Sequence, residues 1–221
     1  MPAIETNFSK NAATYDLYAT IQSEVLEKTL GMIELTHPKT ILDLGCGTGN
    51  STLALRTRFP QADILGVDFS QAMLSIAKQK VDARFRLWDI EKGIPEGSFD
   101  LIFSSAVLHW VESPPRAPNI IFSVFGPQTY HELAEVMRFP VVASRFRNLA
   151  QWQAFGDVRQ EFITKTFPSL KELLKSIKYS GTRGATGRAM WTPDYLAGLE
   201  ADYRMRYGGI RVTYEIIYGK T

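Results

Sequence analysis

The densest group of candidate ligand-binding residues lies in ILDLGCGTGN, residues 41–50. An apolar run and Asp43 come first, and three glycines follow at alternate positions: Gly45, Gly47 and Gly49. A phosphate-binding loop would need Gly-x4-Gly-Lys-Ser/Thr, but this stretch contains no lysine. In a dinucleotide fingerprint, Gly-x-Gly-x-x-Gly, the third glycine would come one residue later. The loop therefore favours a ligand without a pyrophosphate, unless its glycines serve only a tightly packed turn.

Acidic residues near the ends of successive predicted strands narrow the choice of ligand. Asp43 would repel a pyrophosphate and suits a cationic group, such as the ammonium of an amino acid. Asp68 ends the second strand, where a carboxylate can accept hydrogen bonds from both hydroxyls of a ribose. Asp89 and Ile90 follow the third strand and are placed to meet an adenine. A ligand with these three parts and no phosphate is S-adenosylmethionine, and we expect no metal.

Alternating strands and helices must position these residues. They predict an α/β fold with a doubly wound, Rossmann-like, seven-stranded sheet, mostly parallel with an antiparallel last strand and with helices on both faces. We expect irregular structure over 138–158, and this segment could be a loop-rich insertion that lies over the site. The strands are expected at 39–44, 62–67, 83–87, 100–105, 120–124, 159–166 and 211–218. The helices are expected at 9–35, 50–59, from 70 onward, 128–137, 169–178 and 193–207.

Composition excludes several classes of protein. The chain has 221 residues, of which 45% are hydrophobic, and its net charge is only +2, so nothing indicates nucleic-acid binding. Cys46 is the only cysteine, which rules out an intrachain disulfide. We interpret it as a small structural residue of the loop and not as a nucleophile. No apolar run approaches 18 residues and the N-terminus has no signal region, so we expect a cytoplasmic protein without a membrane.

Four motifs between residues 41 and 111 occur in order: LDLGCGTG, GVDFSQAML, WDI and GSFDLIFSSAVLHWV. With them the chain resembles the class I S-adenosylmethionine-dependent methyltransferases. The resemblance implies that the glycine loop holds the methionine part of the donor, Asp68 the ribose and Asp89 the adenine amino group. The donor-binding residues implied in this way are Tyr15, Asp43, Gly45, Cys46, Gly47, Gly49, Asn50, Asp68, Phe69, Met73, Asp89, Ile90, Ser105, Ala106 and His109.

The flanking segments FSKNAATYDLYATIQ, SVFGPQTYHELAEV, FPSLKELLKSIKYSGTRG and VTYEIIYGK resemble the biotin-synthesis methyltransferase family. That resemblance implies methylation of the free carboxylate of malonyl-acyl carrier protein, with malonyl-coenzyme A as a possible further acceptor. It also implies one domain over 1–221, with a helical cap at 1–36, a donor-binding core at 37–127 and an acceptor-side half at 128–221. In the cap, Tyr15 and Asp16 would close the pocket.

A carboxylate acceptor is already ionised near neutral pH, so it needs no general base. We therefore assign no acid or base, and take Tyr15, His109 and Arg145 as positioning candidates. Tyr15 and His109 could equally be packing residues. Arg147 and Arg183 are alternatives to Arg145 for holding the carboxylate, although each arginine could simply face solvent. Two alternatives remain open: a methyltransferase acting on an aconitate-like acid, and a protein that binds the donor without catalysis.

Two further features concern the acceptor side. A series of basic residues could meet the acidic helix of a carrier protein, or could simply form a solvated helix face: Lys165, Lys171, Lys175, Lys178, Arg183 and Arg188. The segment VESPPRAPNII at 111–121 is short for a helical crossover and lacks the Pro-Gly-Gly turn usual in the family, and 138–160 is also short. Genuine deletions or omitted loop residues would explain both.

Overall fold

Seven strands form one sheet in this computed structural model, which describes residues 9, 12–138, 141–179 and 192–221. The strands are β1 (Thr40–Leu44), β2 (Asp63–Asp68), β3 (Arg84–Leu87), β4 (Leu101–Ser105), β5 (Ile120–Phe125), β6 (Asp157–Phe167) and β7 (Ile210–Lys220). Their order is β3-β2-β1-β4-β5-β7-β6, and β7 alone points opposite to the other six strands. The predicted mostly parallel sheet with an antiparallel last strand is confirmed.

The described helices are distributed unequally over the two faces of the sheet. One face packs against long helices, whereas the other is covered largely by 3-10 turns and one short helix that contributes Trp152. The α-helices are α1 (Tyr15–Tyr18), α2 (Thr20–Leu30), α3 (Asn50–Arg58), α4 (Gln71–Lys80), α5 (His131–Met137), α6 (Leu149–Trp152), α7 (Leu170–Tyr179) and α8 (Pro193–Tyr207). The 3-10 turns are Ala12–Thr14, Ile90–Lys92, Leu108–Trp110, Val142–Arg145 and Gln153–Phe155.

The connection from β4 to β5 contains no α-helix. Residues 106–119 cross between the two parallel strands with a single 3-10 turn, Leu108–Trp110. Leu108 and Val111 are buried against the sheet and take the place that an apolar helix face would otherwise fill. The short segment noted in the sequence is therefore compatible with a continuous parallel sheet.

The N-terminal region differs from the single helix expected over 9–35. After the Ala12–Thr14 turn, α1 ends at Tyr18, and Ala19 leaves the helical region with φ −83° and ψ 36°. α2 then ends at Leu30. Apolar periodicity continues across the break, so the sequence pattern could not reveal it. The break changes the direction of the chain just before the helix that lines the candidate site.

The segment 138–158 is mostly irregular, as expected, over its described part from 141 onward. Trp152 of α6 packs on Phe122 of β5, with ring centroids 5.2 Å apart. Phe146 is the residue of this segment that contacts the wall of the candidate site. Within the described ranges, no helix is long and apolar enough to cross a membrane.

Candidate active site

A cleft opens at the carboxyl ends of β1, β2 and β4, the edge at which ligands bind in open parallel sheets. Its volume is about 810 Å³, which includes the open solvent at its mouth. The glycine loop forms its floor, and the first turn of α2 forms part of its roof. The strand ends thus bring together residues far apart in the sequence.

The glycine loop has a backbone that other residues would strain. Gly45 has φ +73°, and a Cβ atom there would lie 2.5 Å from both methyl groups of Val107. The N–H groups of Gly45 and Cys46 both donate to the carbonyl of Val67, at 2.8 and 3.0 Å. The loop is therefore pinned between the ends of β2 and β4. Burial raises the pKa of the Cys46 thiol, which fits a packing role.

Asp68 is almost fully buried and lies on the cleft wall. Its Oδ2 accepts from the Gly47 N–H at 3.0 Å, and its Oδ1 accepts from the Ser70 N–H at 2.8 Å. A backbone hydrogen bond from Phe69 also reaches Asp68, and a carboxylate with about four lone-pair sites can still accept from a ligand. Burial raises the pKa of Asp68 to about 6 despite these bonds. Such a carboxylate would be stabilised by additional hydrogen-bond donors in the cleft.

Asp43 lies behind the loop and is not part of the cleft wall. Its Oδ2 accepts from the hydroxyls of Ser51 and Thr52 at 2.7 and 2.6 Å, which ties the end of β1 to the first turn of α3. Its Oδ1 is buried and has no hydrogen-bond partner among the described residues. Burial raises the pKa of Asp43 to about 6. Asp43 therefore supports the loop from behind, and its contact with the methionine part of the donor stays a prediction.

Asp16 fastens the N-terminal cap to the glycine loop. Its Oδ1 accepts from Thr48 Oγ1 at 2.7 Å and from Asn50 Nδ2 at 2.9 Å, and Lys80 Nζ lies 2.7 Å from Oδ2. These contacts hold the pKa of Asp16 below its usual value. The neighbouring Tyr15 lines the cleft, where burial and then the charges of Asp16 and Asp68 raise the pKa of its phenol.

The helical stripe that roofs the cleft was missed in the sequence. Ala19, Gln22, Ser23 and Leu26 follow the three- and four-residue spacing of one helix face, and all four line the cleft. Gln22 Oε1 is buried without a hydrogen-bond partner among the described residues, so it can accept from a ligand. The spacing could have revealed this face, but its mixture of small and polar residues made the more apolar face stand out instead.

His109 is in an aromatic cluster and not on the cleft wall. Its ring lies 4.6 Å from that of Phe146, 5.0 Å from that of Trp110 and 5.2 Å from that of Phe125. Its Nδ1 accepts a long bond, 3.4 Å, from the Phe125 N–H. Burial lowers the pKa of His109 to about 3, so the imidazole is neutral near pH 7. Trp110, which does line the cleft, is the residue that this cluster supports.

The candidate arginines are separated by the structure. Arg147 donates to the carbonyl oxygens of Val111 and Glu112 and lies over the ring of Trp152, so its guanidinium is engaged. Arg145 is exposed at the end of a 3-10 turn, directly before Phe146. Arg183, like Arg188 of the basic series, lies outside the described residues.

Most of the predicted donor residues meet at this cleft. Those on the wall are Tyr15, Gly45, Cys46, Gly47, Asn50, Asp68, Phe69, Met73, Ile90, Ser105 and Ala106. Those not on the wall are Asp43, Gly49, Asp89 and His109. Gly49 packs against Ala77 of α4, and Asp89 is exposed, with its side chain capping the turn Ile90–Lys92. Additional wall residues that were not predicted are Ala19, Gln22, Ser23, Leu26, Thr48, Ser51, Val107 and Trp110.

The described side chains include no cluster of three or more His, Cys, Asp or Glu residues that could hold a metal ion. The polar groups of the cleft are instead the carboxylate of Asp68, the amide oxygen of Gln22, several hydroxyls and backbone groups. These suit an organic ligand that carries hydroxyl and amino groups.

Solved structures resemble this fold. The YcgJ protein from Bacillus subtilis matches with a TM-score of 0.57 and 15% identity, covering 90% of this chain and 98% of that one. Phosphoethanolamine N-methyltransferase 2 of Haemonchus contortus, in complex with S-adenosyl-L-methionine, matches with a TM-score of 0.53 and 16% identity, covering 96% of this chain and 57% of that one. At these identities the likeness concerns the fold alone.

Sequence relatives narrow the family. A methyltransferase domain model matches residues 41–127. The malonyl-[acyl-carrier protein] O-methyltransferase of Anoxybacillus flavithermus is 28% identical, over 97% of this chain and 95% of the relative. Malonyl-[acyl-carrier protein] O-methyltransferase 2 of Ilyobacter polytropus is 31% identical with the same coverage of both chains. Both alignments span 246 positions, more than the 221 residues here. Within the alignments the relatives therefore contain residues that have no counterpart in this chain. The chain belongs to the malonyl-[acyl-carrier protein] O-methyltransferase family of S-adenosylmethionine-dependent methyltransferases.

Proposed function

We propose that this protein transfers a methyl group from S-adenosylmethionine to the free carboxylate of malonyl-acyl carrier protein, an early step of biotin synthesis. The observation that carries the proposal is the match to relatives of that name over nearly the whole of both chains. A match limited to residues 41–127 would have indicated only a methyltransferase domain. The near-complete alignment includes the acceptor-side half as well.

The polar groups of the cleft suit the donor. Asp68 would accept from the ribose hydroxyls, and Phe69, Met73 and Ile90 would surround the adenine. The glycine loop would hold the methionine part, with Gln22 Oε1 as an acceptor for its ammonium. When bound, the donor supplies a methyl group on a positively charged sulfur. The residues of this chain then have to orient the acceptor and exclude water.

No residue needs to remove a proton from the acceptor. A malonyl carboxylate, with a pKa near 4, is ionised at neutral pH and can attack directly. His109 supports this reading, because its ring is buried, neutral and outside the cleft wall. Its role is then to pack behind Trp110 and keep that wall in place. Tyr15, beside Asp68, would close the cleft against water.

Arg145 is the candidate for holding the acceptor carboxylate. It directly precedes Phe146, whose ring packs on Trp110 with centroids 5.0 Å apart. Its guanidinium has no hydrogen bond to another described side chain or backbone group, whereas Arg147 is engaged. A planar guanidinium can bind a carboxylate through two parallel hydrogen bonds, which fixes the direction of attack.

The proposal is tested with purified protein, labelled S-adenosylmethionine and a set of acceptors. We expect a base-labile methyl ester on malonyl-acyl carrier protein, and none on acetyl-acyl carrier protein, which has no free carboxylate. A panel of free acids that includes aconitate serves as the competing acceptor class. Methylation of a free acid but not of the malonyl carrier would replace the proposed substrate. Donor binding without any methylation would indicate a non-catalytic protein.

Arg145→Lys and Arg145→Ala then examine the acceptor contact. We expect the KM for the malonyl acceptor to rise about tenfold or more in Arg145→Ala, with partial recovery in Arg145→Lys and unchanged donor affinity. Arg116→Ala is the matched control, since Arg116 lies over the ring of Phe155 and away from the cleft wall. Equal effects on KM in Arg145→Ala and Arg116→Ala would show that Arg145 does not hold the acceptor carboxylate.

A further inference from the structure

The outer face of α7 carries a stripe of three lysines. Leu170 and Leu173 are buried against the core, whereas Lys171, Lys175 and Lys178 are exposed. Their spacing of four and then three residues places all three on one side of the helix. Glu172 is the only acidic residue in α7. The face is therefore strongly basic on a protein whose overall net charge is only +2.

This face adjoins the cap that closes the cleft. Tyr18 of α1 stacks on Tyr179 of α7 with ring centroids 4.8 Å apart, and Lys175 Nζ lies 5.6 Å from the centre of the Tyr18 ring. Leu17, next to Tyr18, is 74% exposed. The basic stripe thus continues into an exposed apolar residue on the same one-turn helix that contributes Tyr15 to the cleft.

Lys165 of the basic series is paired within the chain. Lys165 Nζ lies 2.5 Å from Glu24, and Lys28, on the helix that carries Glu24, lies 2.5 Å from Glu161. These two ion pairs connect α2 to β6, and within each pair the opposite charges neutralise each other. Lys175 has a much longer contact, 3.9 Å, with Glu172. With three lysines and one glutamate, α7 itself carries a net positive charge.

We propose that Leu17, Lys171, Lys175 and Lys178, here called the α7 docking surface, bind the acidic helix of the acyl carrier protein. The proposal rests on the proposed function and specifies how that acceptor is recognised. The lysines provide charge complementarity and Leu17 an apolar contact. Because α1 supplies both Leu17 and Tyr15, the carrier would sit at the cleft mouth, where its malonyl arm can enter.

The test compares two variants with the same change in net charge. In Lys171→Glu/Lys178→Glu the α7 docking surface is reversed. The control is Lys39→Glu/Lys78→Glu. The exposed Lys39 lies just before β1, at the amino ends of the parallel strands and so opposite the cleft, and the exposed Lys78 lies on α4. Binding of the apo carrier protein is measured by fluorescence anisotropy at low and high salt. Methyl transfer to malonyl-carrier protein and to malonyl-coenzyme A, and binding of S-adenosylhomocysteine, are measured in parallel.

We expect carrier binding and kcat/KM for the malonyl carrier to fall about tenfold or more in the α7 variant and less than threefold in the control. The difference should shrink at high salt, and donor binding should be unchanged. Leu17→Ser should weaken carrier binding with little effect on its salt dependence. Equal carrier binding by the α7 and control variants would overturn the proposal.

Failure of the proposed function would look different. Wild-type protein that methylates no malonyl thioester would refute that function, while the anisotropy experiment would still report on the docking surface. If the α7 variant lost malonyl-coenzyme A activity as much as malonyl-carrier activity, with carrier binding intact, the lysines would act in the cleft and the docking proposal would be wrong.

Discussion

The two sides of the cleft are built by different interactions. On the glycine-loop side, Asp16, Asp43 and Asp68 hold backbone and side-chain donors through hydrogen bonds of 2.6–3.0 Å. On the other side, Trp110 and Phe146 pack ring against ring, with centroids 5.0 Å apart, and charge lies only at the exposed rim. Directional hydrogen bonds hold the glycine-loop wall, whereas apolar ring packing holds the other wall.

The difference shows how such a site can divide its work. Carboxylates that fix a backbone loop leave it little freedom, so the glycine-loop side is organised before any ligand arrives. Aromatic packing excludes water but imposes little orientation, so under the proposed function the charge of Arg145 would direct the acceptor. Four changes test this contrast, beginning with the largest expected effect.

Gly45→Ala should disrupt the donor side most. The new Cβ would meet Val107 at 2.5 Å with φ at +73°, so the loop or β4 must move. We expect a loss of about 3 kcal/mol or more in the free energy of unfolding, measured by chemical denaturation. Gly47→Ala is the matched control, with φ +55° and no atom within 4 Å of its Cβ, and should cost only about 1 kcal/mol. Equal losses would mean that the loop is not pinned against Val107.

Asp16→Ala should loosen the cap without unfolding the protein. It removes the contacts to Thr48, Asn50 and Lys80, so we expect about tenfold weaker binding of S-adenosylhomocysteine in calorimetry. Asp63→Ala removes a comparable exposed carboxylate, one that pairs with Arg84 far from the cleft. Donor affinity in that control should be unchanged. A similar loss in both variants would show that the cap contact is not specific.

Donor affinity should decrease at acidic pH. Burial raises the pKa of Asp68 to about 6, and hydroxyl donors from a ligand would stabilise its ionised form. Binding is therefore strongest above pH 6 and should fall towards about tenfold per pH unit below it. Asp68→Asn should flatten this profile. Asp43→Asn should retain most of the dependence, although the pKa of Asp43 is also about 6, because Asp43 lies behind the wall. If Asp43→Asn flattened the profile and Asp68→Asn did not, Asp43 and not Asp68 would be the carboxylate that contacts the donor.

His109→Phe should have the smallest effect. The ring lies in an apolar cluster, so a phenyl group can replace it with loss of one long bond from the Phe125 N–H. We expect kcat to change less than about threefold, with an unchanged pH profile between pH 6 and 9. A hundredfold loss, or loss of one limb of that profile, would identify His109 as an acid or base.

Much of the cleft wall could be located from the sequence because its determinants are local. Glycine spacing and acidic strand ends act within a few residues of one another, and the sheet order brings those strand ends together. The role of Asp43 was less well predicted, because sequence does not reveal which side of a loop a carboxylate faces. Only the folded chain shows Ser51 and Thr52 donating to it.

The other parts of the site depend on contacts distant in sequence. Neither Phe146 against Trp110 nor Asp16 against Lys80 leaves a periodic signal. The family resemblance placed His109 along the donor pocket, yet the 3-10 turn directs its ring into the core. The break at Ala19 was also hidden, because apolar spacing continues through it.

The central claim is that Asp68 holds the donor in this cleft. Calorimetric titration of S-adenosylhomocysteine into wild-type protein and Asp68→Ala tests it most directly, with Asp63→Ala as an exposed carboxylate control. We expect affinity to fall about a hundredfold or more in Asp68→Ala, since two charge-assisted hydrogen bonds are lost at roughly 1.5–3 kcal/mol each. The control should change far less. Unchanged affinity in Asp68→Ala would contradict the account.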